Sequence, residues 1–201
     1  MSLNRLFLRA WSCASAIFLC TSPAFAGPRQ SSPIALAPDG QRLVGTNPDA
    51  GTVTLFDVSI DAPRKLAEIH VGREPSSVAI HPDGRRAYVA NALDGAVGVL
   101  DLTARRRTRV LPVGKEPMAL CLSPNGTRLY VANSASNNLM VFDTKPAMPR
   151  LLATIDLAAF GTAPRAIAVT DNGDTDDADE TVFVAMFYAS LRSGKSSLQE
   201  G

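Results

Sequence analysis

From Ile34 onward apolar and polar residues alternate in short runs, and each run ends at a turn signal. Ile34 and Leu36 alternate with Ala35 and Ala37, which predicts a first strand. Pro38-Asp39-Gly40 then turns the chain: proline presets the first central position, aspartate tolerates the second and glycine closes the turn. Arg42–Asn47 returns as a second strand. Gly51–Asp57 is a third, with Val53 and Leu55 on one face and Thr52 and Thr54 on the other, and Lys65–Val71 is a fourth. The same order recurs over Ser77–His81, Arg86–Asn91, Ala96–Asp101 and Thr108–Val113. It recurs again over Ala119–Ser123, Arg128–Asn133, Asn138–Asp143 and Leu151–Leu157. A fourth round shows only Arg165–Thr170 and Thr181–Met186, with Met186 where the earlier rounds carry asparagine. No window after the first 26 residues has the period of an amphipathic helix.

The turns start at Pro38, Pro82 and Pro124, spacings of 44 and 42 residues. A period of this length marks one supersecondary unit repeated, each unit too small to bury its own apolar face. Four antiparallel strands in about 40–45 residues is the signature of a propeller blade. The expected fold is therefore all-β: a β-propeller of four-stranded antiparallel blades, about three complete and a partial fourth. The blades are expected at about 31–71, 75–113, 117–157 and 164–190 of a repeat region 27–190, with a polar tail at 191–201.

The segments YVANALDGAVGVLD and YVANSASNNLMVFD, preceded by VGREP and VGKEP, resemble the YVTN-type β-propeller repeat family. The likeness spans Ser31 to about Ala189. It implies an exported blade fold, usually of seven blades, and no single activity, since such rings host many. This chain departs from the pattern in lacking the third and fourth strands of its last blade. The lead-in Gly27–Ser32 is too short to supply both, at about five residues each. A piece of a longer propeller is the expected explanation, with a compact four-bladed ring as the alternative.

Composition narrows the class. Of 201 residues 46% are hydrophobic and 19% charged, enough to bury a core. A net charge of +1 lacks the basic excess of a nucleic-acid binder. Arg5 and Arg9, the short apolar run Trp11–Cys20 and Ala24-Phe25-Ala26 read as a cleaved signal peptide over residues 1–26. The run falls short of the ~20 residues of a spanning helix, so no transmembrane segment is expected after cleavage, and the location is periplasmic or secreted. Cleavage would leave Cys121 alone, inside a strand pattern and so a small core residue.

Antiparallel blades gather the loops between second and third strands with the blade-to-blade linkers at one end. That rim holds the candidate binding residues Arg73, Glu74, Asn91, Asp94, Lys115, Glu116, Asn133 and Asn137, together with Asn47. The competing reading is local: asparagines bonding backbone or taking left-handed geometry, in every blade because every blade must fold. Asp57, Asp101 and Asp143 end third strands and are expected to brace the next turn. Asp171–Glu180 is the local anomaly, an acidic insertion in the fourth blade's first turn. Asp171, Asp174, Asp176 and Asp179 are candidate calcium ligands, although the spacing is not that of an EF-hand, and a solvated acidic turn is the alternative. Calcium is the only cofactor suggested. Arg105-Arg106-Arg107 is expected to be a solvated turn. His70 and His81 lie in different elements without a cysteine or nucleophile nearby, so no catalytic residues are assigned.

The expected function is an exported binding or scaffold module of the cell envelope, with a protein or small-molecule partner. The alternative is a periplasmic propeller enzyme, a lactone hydrolase or a companion of a redox system. That alternative requires charged residues unique to single blades.

Overall fold

The computed structural model describes residues 29–189; the signal segment expected at 1–26 lies outside them. The described chain is all-β. Strands β2 (Ile34–Leu36), β3 (Arg42–Asn47), β4 (Thr52–Asp57) and β5 (Arg64–His70) form the first antiparallel blade. The second contains β6 (Pro75–Ile80), β7 (Arg86–Asn91), β8 (Ala96–Asp101) and β9 (Arg106–Pro112). The third contains β10 (Pro117–Leu122), β11 (Arg128–Asn133), β12 (Asn138–Asp143) and β13 (Arg150–Asp156). The fourth sheet has β14 (Gly161–Val169) and β15 (Val182–Ala189), with β1 (Arg29–Gln30) on the other side of β14.

Alternation along the second strand of each blade explains why neighbours stack. In β7, Ala87 and Val89 join Val44, Val53, Leu55 and Ile69 in one core, between the first and second blades. Tyr88 and Ala90, on the opposite face, join Leu120, Leu129 and Val131 between the second and third. Tyr130 and Ala132 of β11 then meet Ile167 and Val169. A strand buried on both faces reads as a continuous apolar run, as YVA does here. The outer flanks are different. Ile34 on the first blade is 52% exposed and Phe183 on the fourth 60%, so these flanks do not cover each other as a compact four-bladed ring would require.

Three linkers share one backbone device. Glu74, Glu116 and Ala163 have φ of 53°, 50° and 56°, each just before a proline. A register shift follows at Pro75/Ser77, Pro117/Ala119 and Pro164/Ala166. The carbonyls of Glu74 and Glu116 accept the N–H groups of Ala92 and Ser134, tying each linker to the loop after the next blade's second strand. The bulge re-aims the chain from an outer strand to an inner one.

The lead-in is more than a polar approach. Arg29 and Gln30 pair with Val169 and Ala168, and Ser31 exchanges hydrogen bonds with Ile167. Ser32 accepts from the Val78 N–H. The segment supplies a strand on the inner edge of β14, not an outer one, because that edge has backbone groups to satisfy. Among the described residues no helix is long and apolar enough to cross a membrane.

Candidate functional site: the junction of the first two blades

The rim residues separate into two groups. Arg73, Glu74, Asn91 and Asp94 meet at the first junction, and Lys115, Glu116, Asn133 and Asn137 at the second. The second is built from neutral partners: Ser136 Oγ accepts from the Lys115 N–H at 2.7 Å, and Asn133 Nδ2 donates to Asn138 Oδ1 at 2.8 Å. Asn137 sits at φ 51° and donates to the Gly161 carbonyl, as expected for an asparagine with a folding role. Asn47 likewise donates to Thr52 and Thr54 within its own blade.

The first junction carries charge. Asp94 Oδ2 accepts from the Arg73 N–H at 2.8 Å, and Oδ1 accepts from Arg73 Nε at 2.6 Å. Arg73 also donates to the Leu93 carbonyl. The Arg73 backbone and guanidinium donors hold the Asp94 carboxyl below the usual carboxylate range. Below them the Val71 carbonyl accepts both from Asn91 Nδ2 at 3.0 Å and from Arg107 at 2.5 Å. Gly98 lies against this pair: a Cβ there would sit in ordinary contact, 3.5 Å from Arg107 Cδ and 3.5 Å from the Val71 oxygen. The third blade has Met140 at this place. Gly72 is the constrained glycine, since its Cβ would come within 2.5 Å of Asp94 Oδ2 and 2.7 Å of Asn91 Nδ2.

Gly72, Arg73 and Glu74 form one wall of a concavity of ≈ 410 Å³, closed by Asp49, His70 and the exposed Leu93. Sequence reasoning placed Arg73, Glu74, Asn91 and Asp94 here but missed Gly72, Gly98, His70 and Arg107. The available signal was a glycine interrupting the alternation of β8. Arg105-Arg106-Arg107 is not simply a solvated turn: Arg105 donates to the Leu66 carbonyl and Arg107 to Val71, both in the first blade.

The remaining candidates have local partners. Asp57, Asp101 and Asp143 accept from N–H groups two residues ahead, as Asx bonds do. In the acidic stretch Asp171, Asp174 and Asp176 each accept from the N–H two residues on, and Asp179 accepts from Asn172. Among the described residues no three His, Cys, Asp or Glu side chains gather where they would hold a metal ion. The acid with a specific partner is Asp177, which folds under the third blade's Pro124-Asn125-Gly126 turn. Cys121 is buried, and burial pushes its thiol up to about 12, so it is unreactive.

A family profile described as lactonase, seven-bladed β-propeller, matches residues 33–175. No curated protein sequence matches. Among solved structures, hydrazine synthase from Kuenenia stuttgartiensis is 24% identical, with a TM-score of 0.62 over 85% of this chain and 49% of that one. A protein from Lactobacillus plantarum is 22% identical, with a TM-score of 0.59 over 80% and 53%. A Bacteroides uniformis protein provisionally named a 6-phosphogluconolactonase is 20% identical, with a TM-score of 0.61 over 76% and 46%. The chain thus spans about half the length of the solved structures it matches.

Proposed function

The chain belongs to the seven-bladed lactonase propeller family, and from that premise we propose that it serves as an exported binding module of the cell envelope. Its partner, a protein or a small molecule, would be taken at the rim of linkers and second-to-third-strand loops. One observation carries this reading. At the first junction an Arg73–Asp94 ion pair, for which the second has Lys115 and Ser136, is held in fixed geometry beside an open concavity. Loops on a rigid blade scaffold are where such proteins bind. Pull-down from envelope extract with the wild-type chain and with Arg73→Ala tests it: a partner should be recovered by the first and lost with the second. Recovery unaffected by rim substitutions would move the binding surface elsewhere. Export is part of the proposal, and a mature N-terminus at Gly27 is its readout.

A second reading, lactone hydrolysis, is favoured by the family itself. In it Glu74 takes a proton from water as the oxygen adds to the lactone carbonyl. The ring C–O bond then breaks, the leaving alkoxide regains a proton, and Arg73 stabilises the carbonyl oxygen's developing charge. Turnover of a lactone panel, abolished in both Glu74→Ala and Arg73→Ala, would establish this reading; no turnover would leave the binding module.

A further inference from the structure

We propose that the chain pairs with a second copy of itself, the flank of the fourth sheet in each copy packing on the first blade of the other. The repeat shows what each flank fits. The second and third junctions each bury a tyrosine of one blade's second strand against the first two strands of the next. Tyr88 shares a core with Leu120, Leu122, Leu129 and Val131, and Tyr130 shares one with Ile167, Val169, Val182 and Val184. Tyr88 and Tyr130 stand three residues before Asn91 and Asn133, and Phe183 stands three before Met186, the residue at the same register. Phe183 is 60% exposed. On the first blade Ile34, Leu36, Leu43 and Gly45 stand where the third has Leu120, Leu122, Leu129 and Val131, counted from the Pro38 and Pro124 turns. Ile34 and Leu36 are 52% and 55% exposed, and a Cβ at Gly45 would meet nothing within 4 Å. A hollow of ≈ 420 Å³ opens beside Ile34, Leu36 and Leu43. The chain therefore carries both halves of a blade junction, an aromatic side chain and the apolar strands that receive one, on flanks that do not meet each other.

The two flanks also match in width. Apolar surface on the first blade runs over β2 and β3 and gives way to polar side chains at β4. Thr54 stands where the third blade packs Met140 against the second. It accepts from Asn47 Nδ2 at 2.9 Å, and its neighbour Thr52 donates to Glu68 at 2.9 Å. A four-stranded neighbour would lay its outer strands over these groups and strip them of water. The fourth sheet brings two blade strands, β14 and β15, whose exposed side carries Ala166, Ala168, Phe183 and Ala185. Such a sheet covers the apolar half of the first blade and leaves the polar half wet. With four sheets in each chain, two copies make eight, within the four to eight blades of known propellers. A two-fold axis uses each flank once, so assembly stops at two copies.

Sedimentation equilibrium of the full chain tests this. At about 10 μM and above, the mass should be twice that of one chain. Leu36→Arg and Phe183→Arg should each weaken pairing at least about hundredfold, because each puts a charge into both junctions of the pair. Met148→Arg, exposed in a turn of the third blade, should leave it unchanged. Mixed in equal amounts, the Leu36→Arg and Phe183→Arg chains should pair again more tightly than either alone. One keeps an intact fourth sheet and the other an intact first blade, and the recovery shows that both variants fold. A wild-type chain that stays at a single mass up to about 1 mM overturns the proposal. So does growth beyond two copies with concentration, or a pair indifferent to either substitution. A mixture that stays unpaired, although both variants keep the wild-type far-ultraviolet spectrum, overturns it as well.

Discussion

Asp177 is where a single side chain should matter most to the fold. It is 3% exposed. Oδ2 accepts from Ser123 Oγ at 2.8 Å, Thr127 N–H at 2.9 Å and Thr127 Oγ1 at 2.7 Å. Oδ1 accepts from the Asn125 N–H at 3.0 Å and from its side-chain amide at 3.1 Å. Burial alone would raise this carboxyl's pKa, but the donors from Thr127, Asn125 and Ser123 more than offset it, and the net shift is downward. In the first two blades the turn carries its own carboxylate: Asp39 accepts from Gln41, and Asp83 from Arg85 and Arg86. The third blade has Asn125 instead, and Asp177 of the fourth supplies the missing acceptor. Asp177→Ala therefore leaves several donors facing one another at a blade junction. With about 1–3 kcal/mol for each buried group left unpaired, and partial rescue by water at the turn's edge, the loss should be about 3 kcal/mol. Asp177→Asn keeps one acceptor oxygen but turns an NH₂ toward donors, and about 2 kcal/mol is expected. Urea unfolding at neutral pH measures both, with Asp176→Asn as the exposed comparison expected within about 0.5 kcal/mol of wild type. For a chain of this size 3 kcal/mol also lowers the thermal midpoint by about 6–12 °C. An Asp177→Ala protein within about 0.5 kcal/mol of wild type would refute the reasoning.

Three further outcomes follow from the same geometry. Burial and the adjacent Arg86 lower the His81 pKa, against the opposing pull of Asp83, while Asp83 itself falls to about 2. Below the unfolded histidine value of 6.5 the unfolded chain binds more protons, so stability should fall with pH from about 7.5 toward the folded His81 pKa; the Asp83 contribution is lost only below 3.8. Urea midpoints at pH 7.5 and 5 should show this slope, and His81→Ser, which copies the third blade, should flatten it. Gly72→Ala, at φ 144° with its Cβ driven onto Asp94 and Asn91, should cost about 2–4 kcal/mol. Gly40→Ala, at φ 70° with nothing within 4 Å, should cost about 1 kcal/mol, and equal losses in urea would sink the distinction. Calcium is expected to leave the thermal midpoint unchanged, because Asp171, Asp174, Asp176 and Asp179 hold backbone or amide donors instead of converging. An ion present at a hundred times its Kd would add about 2.7 kcal/mol, and a rise reversed by a chelator would re-establish the site.

Local chemistry was legible in the sequence wherever a repeat could be laid on its neighbour. Aligning the turns put Met186 in the place of Asn91 and Asn133, and the strand registers agree: Pro75 faces Asn91, Pro117 faces Asn133 and Pro164 faces Met186. Alternation was enough because each second strand must offer an apolar residue to both neighbouring blades. Contacts between distant segments were not legible. A two-residue strand carries no periodic signal, so the pairing of β1 with β14 could not be read. Asp177 looks like its acidic neighbours until the Asn125 turn is brought against it. The rim residues were found by topology, but their division into a junction with an Arg73–Asp94 ion pair and one without depended on which side chains crossed between blades.

That division has a physical basis. A residue repeated in every blade at equivalent geometry solves a problem every blade has, as Glu74, Glu116 and Ala163 do with their backbones. Side-chain identity at the same positions is free to vary, because the bulge uses the carbonyl and the φ angle, not the carboxylate. Arg73 and Asp94 stand where the next junction has Lys115 and Ser136, and Gly98 stands where it has Met140. Beside Gly98 the Arg107 guanidinium donates to the Val71 carbonyl, where the next junction has the Met140 side chain. Stacking of blades alone does not require that bond, since the second and third blades pack through Met140. The Arg73–Asp94 and Arg107–Val71 contacts at the first junction are therefore additions to the repeat that blade stacking does not require.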